Sequence, residues 1–131
     1  GGTLYAFSTF ELQIMELCEL SARRLDVMYA MGQLGVGSGL LPGAIYDNYG
    51  PTATVLYAMI FCIIGNLGMQ TALQMENCMG LFMLGSFFFV LQNGSTGLYQ
   101  AGLFSNIRSA PASSQGTVAG IVAAGYGLSA A

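Results

Sequence analysis

Few side chains in this sequence are equipped for chemistry. Its 131 residues include three basic and six acidic side chains, with no histidine and no lysine. General acid–base catalysis needs a positioned group titrating near the working pH, and nucleophilic catalysis needs a hydroxyl or thiol with a base beside it. Neither arrangement is visible, because no paired carboxylates share an apolar setting and no nucleophile sits next to a base. Cys18, Cys62 and Cys78 have no C-x-x-C spacing that would hold a metal, so no metal and no cofactor is expected. Cys62 reads as a small apolar filler, while Cys18 and Cys78 either do the same or pair on one side of the molecule. The net charge of −3 offers no basic patch, which sets nucleic acid aside as a partner.

Two polar features remain. One is Asp47, alone in the stretch GAIYDNYGP (43–51) between long apolar runs. The other is a set of uncharged hydrogen-bonding residues embedded in apolar sequence: Gln33, then Asn93, Ser95, Thr96 and Gln100 around Gly94 and Gly97. A glycine-rich break of this kind lines solute paths in transporters. The same residues also serve as hydrogen-bonding glue between helices in lipid, and sequence leaves both roles open.

The elements that carry these residues follow from composition. Hydrophobic residues make up 54% and charged residues 7%, far from the roughly 25% charge usage of soluble domains. Mean hydropathy is +0.63. Charge-free segments run 27–46, 48–75, 77–107 and 109–131, and about 20 apolar residues suffice for a helix to cross the hydrocarbon core. The reading is an all-α, polytopic transmembrane helical bundle, integral and multi-pass, with the lipid bilayer as its surroundings. Its expected spans are 1–10 (partial), 27–46, 52–73, 79–104 and 116–131 (partial). A β-barrel is excluded because the apolar runs are continuous and show no strict alternation. Between the first two spans, residues 11–26 carry six charges and suggest a loop with a short amphipathic segment.

Within 27–46, Gly35, Gly39 and Gly43 recur four apart, a face on which helix backbones approach closely in lipid, and Pro42 is expected to kink the span. Gly35, Gly37 and Gly39 form no nucleotide loop, having no strand before them and no basic partner. The Phe87–Phe89 run and the eight methionines read as packing or lipid-facing residues rather than a cofactor box. The opening at Gly1 without methionine and the end at Ala131 inside an apolar run suggest a segment of a longer protein, and no signal peptide is visible.

Four stretches together resemble the nodulin-like branch of the major facilitator superfamily. GGTLYAF resembles the exit from a first helix. GAIYDNYGP is similar to the loop between helices 2 and 3, usually G-x-x-x-D-R-x-G-x-R. QNGSTGLYQAGLF is similar to a stretch late in helix 4, and SSQGTVAGIVAAGYGLSAA to the entry into helix 5. The resemblance covers nearly the whole chain and implies the end of helix 1 to the start of helix 5 in a partial N-terminal half. It implies a secondary transporter of a small solute working by alternating access, completed by the remaining helices of the same transporter. Gly43, Asp47 and Gly50 match the gating-loop motif, whereas Asn48, Thr52 and Gln115 stand where the family carries basic residues. Gln33 stands where an acidic residue is usual, which argues against proton coupling through that helix.

Asp47 accordingly has two readings: a cap at the N-terminus of the following helix, where unpaired N–H groups favour a carboxylate, or the family's gate residue. Arg23 and Arg24 favour a cytoplasmic first loop by the positive-inside count, while the resemblance implies that the Asp47 and Arg108 loops are cytoplasmic, and the resemblance is preferred. The alternative function is a non-transporting membrane scaffold or assembly subunit whose glycine faces serve oligomerisation.

Overall fold

The computed structural model describes residues 7–19, 21–75 and 80–128, and every regular element among them is helical. Five helices follow in order: α1 Phe7–Cys18, α2 Ala22–Gly37, α3 Leu40–Gln74, α4 Leu81–Ser109 and α5 Gln115–Leu128. Two stretches, Ala22–Gln74 and Leu81–Ser109, are long and apolar enough to cross a membrane.

The stretch Ala22–Gln74 is not one rod. At Gly50 the backbone leaves helical geometry, with φ 85° and ψ −179°, a region open in practice only to glycine. Pro51 follows at the first position of the resumed helix, where its missing N–H is no loss. Helix α3 is therefore two legs, 40–49 and 51–74, and their contacts with α4 show that the chain reverses between them. Along the first leg and α2, the partners on α4 ascend: Gly32 lies beside Phe88, Ser38 bonds Asn93, and Asp47 faces Arg108. Along the second leg they descend, since Tyr57 bonds Asn93, Gly65 meets Leu91 and Gly68 meets Phe87. Helix α4 is thus the central element, parallel to α2 and antiparallel to residues 51–74.

Helices α2 and α3 each show a stripe that explains their docking. Leu25, Met28, Gly32 and Gly35 of α2 are buried at spacings of three and four, and Thr54, Ala58, Gly65 and Ala72 of α3 at four and seven. Residues 91–97 of α4 are buried on every face, which marks the middle of the bundle. At one end an apolar cluster of Ile14, Leu25, Met28, Ala72, Leu84, Phe88 and Leu91 closes the packing. Helix α5 contributes no buried residue and touches α4 through the Tyr126 and Tyr99 rings, 4.5 Å apart.

Several expected boundaries change. Residues 7–10 begin a helix rather than end one, and residues 1–6 lie outside the described residues. The charged stretch expected as a loop with a short amphipathic segment is largely helical: Ile14 packs into the apolar cluster while Glu16 faces out, so α1 is amphipathic and docks. Glu19, with φ 48°, ends it in the left-handed conformation common at helix C-termini. Cys18 is held in a disulfide bond, so it is not a filler thiol, whereas Cys62 is free; Cys78 lies outside the described residues, as does Glu76 of the expected turn. The loop around 47–51 contracts to Gly50, and that at 105–116 to residues 110–114.

Candidate functional site

The kink expected at Pro42 lies earlier, where α2 ends at Gly37 and helix resumes at Leu40. Proline lacks an N–H and its ring crowds the carbonyl four residues back. That carbonyl is Ser38's, and the turn containing it tightens: Leu41 N–H reaches it at 3.2 Å, and Gly39 N–H reaches the Val36 carbonyl at 3.2 Å. The Ser38 hydroxyl folds back onto the Gly35 carbonyl at 2.8 Å.

Asn93 of α4, 1% exposed, meets this break. Its Nδ2 donates to Ser38 Oγ at 2.6 Å and lies 3.4 Å from the Gly35 and Ser38 carbonyls. Its Oδ1 accepts from the Tyr57 hydroxyl at 2.6 Å. One amide thus ties the loosened turn to the second leg of α3. Asn93 can reach because the backbones are close: Gly35 lies against the Phe89 carbonyl, and a Cβ on Gly94 would come within 2.9 Å of the Ala58 carbonyl. Such approach is the packing that small residues permit between helices in lipid.

Beyond the break a cleft of about 590 Å³ opens between the first leg and α4, lined by Gly39, Gly43, Asp47, Gln100 and Phe104 among others. Gln100 fills the space the glycines leave: its Nε2 lies 2.8 Å from where a Gly39 Cβ would stand, and its buried Oε1 has no hydrogen-bond partner. Thr96 adjoins Gly39 on the same side and donates to the Gln92 carbonyl at 2.9 Å.

Asp47 sits at the mouth of the cleft inside the last turn of the first leg, not at the N-terminus of the next helix. The cap expectation is therefore corrected: Gly50 occupies the break, and the Asp47 carboxylate turns to Arg108 at 4.0 Å across the gap. Both side chains are well exposed, 68% for Arg108 and 75% for Asp47, so the pair contributes at most about 1 kcal/mol. Arg108 also lies over the Tyr46 ring at 5.1 Å, and the Tyr46 hydroxyl is 3.4 Å from Ser105 Oγ.

The residues singled out in the sequence divide accordingly. Gly43, Asp47 and Gln100 share the cleft, Asn93 and Thr96 lie just deeper, and Gly50 forms the reversal. Gln33 does not join them: it is exposed and bonds Tyr29 on its own helix at 2.8 Å. Ser95 is buried away from the cleft with its hydroxyl unpartnered. Arg108 supplies the cation that Asn48 and Thr52 do not, from another helix. Ser38, Tyr57 and Gln92 were not singled out as site residues. The four-residue interval between Ser38 and Pro42 was a readable signal for the first, whereas the partnership of Tyr57 with Asn93 spans 36 positions and leaves no local trace.

No family model, no curated protein and no solved structure matches the chain.

Proposed function

We propose that the chain is part of a polytopic membrane protein that moves a small solute by alternating access, as its resemblance to the nodulin-like branch of the major facilitator superfamily implies. The observation that carries the reading is the discontinuous helix at Ser38–Gly39, whose freed backbone is held by Asn93 and which opens onto the cleft of Gly43, Asp47 and Gln100. Helices interrupted at depth, with the irregular backbone facing a cavity rather than lipid, are the recurring architecture of solute sites in secondary transporters.

The distribution of side chains supports a lipid surround. Gln92, Asn93, Ser95, Thr96 and Thr54 are buried, while Leu34, Leu56, Ile60, Ile63, Leu67 and Phe82 are exposed. A water-soluble domain arranges these types the other way round, and an apolar exterior around a polar interior is what the bilayer selects. The scaffold alternative asks the Gly35 and Gly39 face to be free for oligomerisation; within this chain both are already occupied by α4.

The test is uptake of labelled small solutes into vesicles containing the protein, beside an Asp47→Ala variant. Saturable uptake that loses rate or directionality in the variant is expected, since Asp47 lines the cleft mouth and faces Arg108 across it. Absence of uptake for every solute from a folded, inserted protein would return the scaffold reading, and unchanged uptake in the variant would leave Asp47 no gating part.

A further inference from the structure

The two legs of α3 leave between them a groove of about 310 Å³, distinct from the cleft that holds Gln100. Its walls come from both legs: Leu41, Ile45 and Tyr49 of the first, Tyr57 and Phe61 of the second. Ile45 and Tyr57 lie five and seven residues from Gly50, and Leu41 and Phe61 nine and eleven. The groove therefore has a closed end at the reversal and follows both helices for about 14 Å at 1.5 Å per residue. Tyr57 and Phe61, four apart on one helix face, stand ring against ring with centroids 4.2 Å apart. The wall is almost wholly carbon, and the polar groups beside it are turned to the protein: the Tyr57 hydroxyl bonds Asn93, and the Asn48 amide donates to the Ala44 carbonyl at 2.8 Å.

We infer that this groove holds one acyl chain of a membrane phospholipid, with the lipid's phosphate at the start of the second leg. In a bilayer, as proposed above, the groove opens onto hydrocarbon, since its exposed neighbours Leu40, Leu56 and Ile60 are apolar. Water needs two or more polar partners to be held, and an empty groove forfeits dispersion contacts along its walls. A helix of a second copy is too wide, because one turn about 10 Å across and 5.4 Å tall fills roughly 400 Å³. Polarity sets which way the lipid lies. The closed end adjoins the exposed charges of Asp47 and Arg108, and Tyr49 is 78% exposed there, where a membrane surface places tyrosine. A phosphate at that end meets the positive end of the second leg's dipole, in a first turn whose N–H groups have no partners within the helix. Tyr57 is then braced twice, by Asn93 at its hydroxyl and by the lipid along its ring. The inference rests on the membrane part of the proposed function and not on transport.

The experiment is native mass spectrometry of the protein released from dodecyl maltoside micelles containing dioleoylphosphatidylcholine, beside its melting temperature with and without that lipid. The wild type is expected to retain one phosphatidylcholine and to melt several degrees higher with it. Ile45→Trp puts an indole into the groove and is expected to lose the retained lipid and most of the rise. Leu41→Trp does the same from the exposed open end, so the test survives if Ile45→Trp does not fold. Ile60→Trp adds equal bulk to the exposed outer face of the second leg and is expected to keep both lipid and rise. A wild type that retains no lipid, or groove variants that retain as much as Ile60→Trp, would overturn the inference. A dimer in place of the lipid adduct, broken by Leu41→Trp, would overturn it too and make a second copy the occupant. Dioleoylglycerol, which has the chains without the phosphate, is expected to be retained severalfold less; equal retention would overturn the placement of the phosphate. A retained lipid on a protein that moves no solute would keep the groove and sink transport, whereas saturable uptake by a wild type that retains no lipid would keep transport and sink the groove.

Discussion

Asn93 joins three segments of chain through one amide, and its energetic weight can be bounded. Hydrogen bonds between helices in lipid average about 0.6 kcal/mol and reach about 1.7 kcal/mol, because the unfolded chain in the membrane also finds partners. With short bonds to Ser38 and Tyr57 plus a carbonyl that proline has already deprived of its usual donor, Asn93→Leu should lose about 1–3 kcal/mol of stability. Tyr57→Phe removes the hydroxyl alone and should lose about 0.6–1.5 kcal/mol. Reversible unfolding in mixed micelles measures both, and equal losses would mean that the Ser38 side of the amide contributes nothing. The importance of Asn93 was legible as a polar residue stranded in apolar sequence. What it bonds was not legible, since Ser38 lies 55 positions away and the register that brings them together is set by glycines on both helices.

At the scale of elements, two prolines with the same chemistry have opposite outcomes, and the positive-φ glycine that precedes one of them decides which. Pro42 is buried in the first turn of α3, and the break before it is no wider than the tightened turn at Ser38–Gly39, after which the chain keeps its direction. Pro51 follows Gly50, whose positive φ sends the chain into a reversal. Gly50→Ala should therefore cost about 1–3 kcal/mol, the strain of a side chain in that region, even though a Cβ there would meet nothing within 4 Å. Gly102→Ala is the matched control, with equal space but no positive φ, and should be neutral or slightly stabilising in the same unfolding measurement. The helices over 51–74 and Leu81–Ser109 were readable to within a few residues because unbroken apolar runs and lone charges bound them. Helix α1 was readable only as a short amphipathic segment in a charged loop, for its extent and docking appear once Ile14 is seen packing into the apolar cluster.

At the scale of the whole molecule, if the chain spans the membrane as proposed its two ends face different compartments, and those ends differ in chemistry. Cys18 is the last residue of α1, a few residues before α2 begins at Ala22, and the Asp47–Arg108 pair lies at the far end of the leg that α2 begins. Disulfides persist in oxidising compartments and are rare where glutathione keeps thiols reduced. The Cys18 bond thus weighs against the positive-inside count of Arg23 and Arg24 and agrees with the family resemblance, which implies a cytoplasmic Asp47 end. If the chain spans the membrane as proposed, a cysteine introduced at exposed Ser109 of a Cys62→Ala background should react with an impermeant maleimide only after the membrane is opened. Cys18, after mild reduction, should react in intact cells. Labelling of the Ser109 position in intact cells would invert the molecule, and would require the Cys18 bond to survive in a reducing cytosol. Two positions labelled from the same side would defeat the crossing itself, because α2 and the first leg of α3 separate them by about 40 Å at 1.5 Å per residue, more than the roughly 30 Å hydrocarbon core.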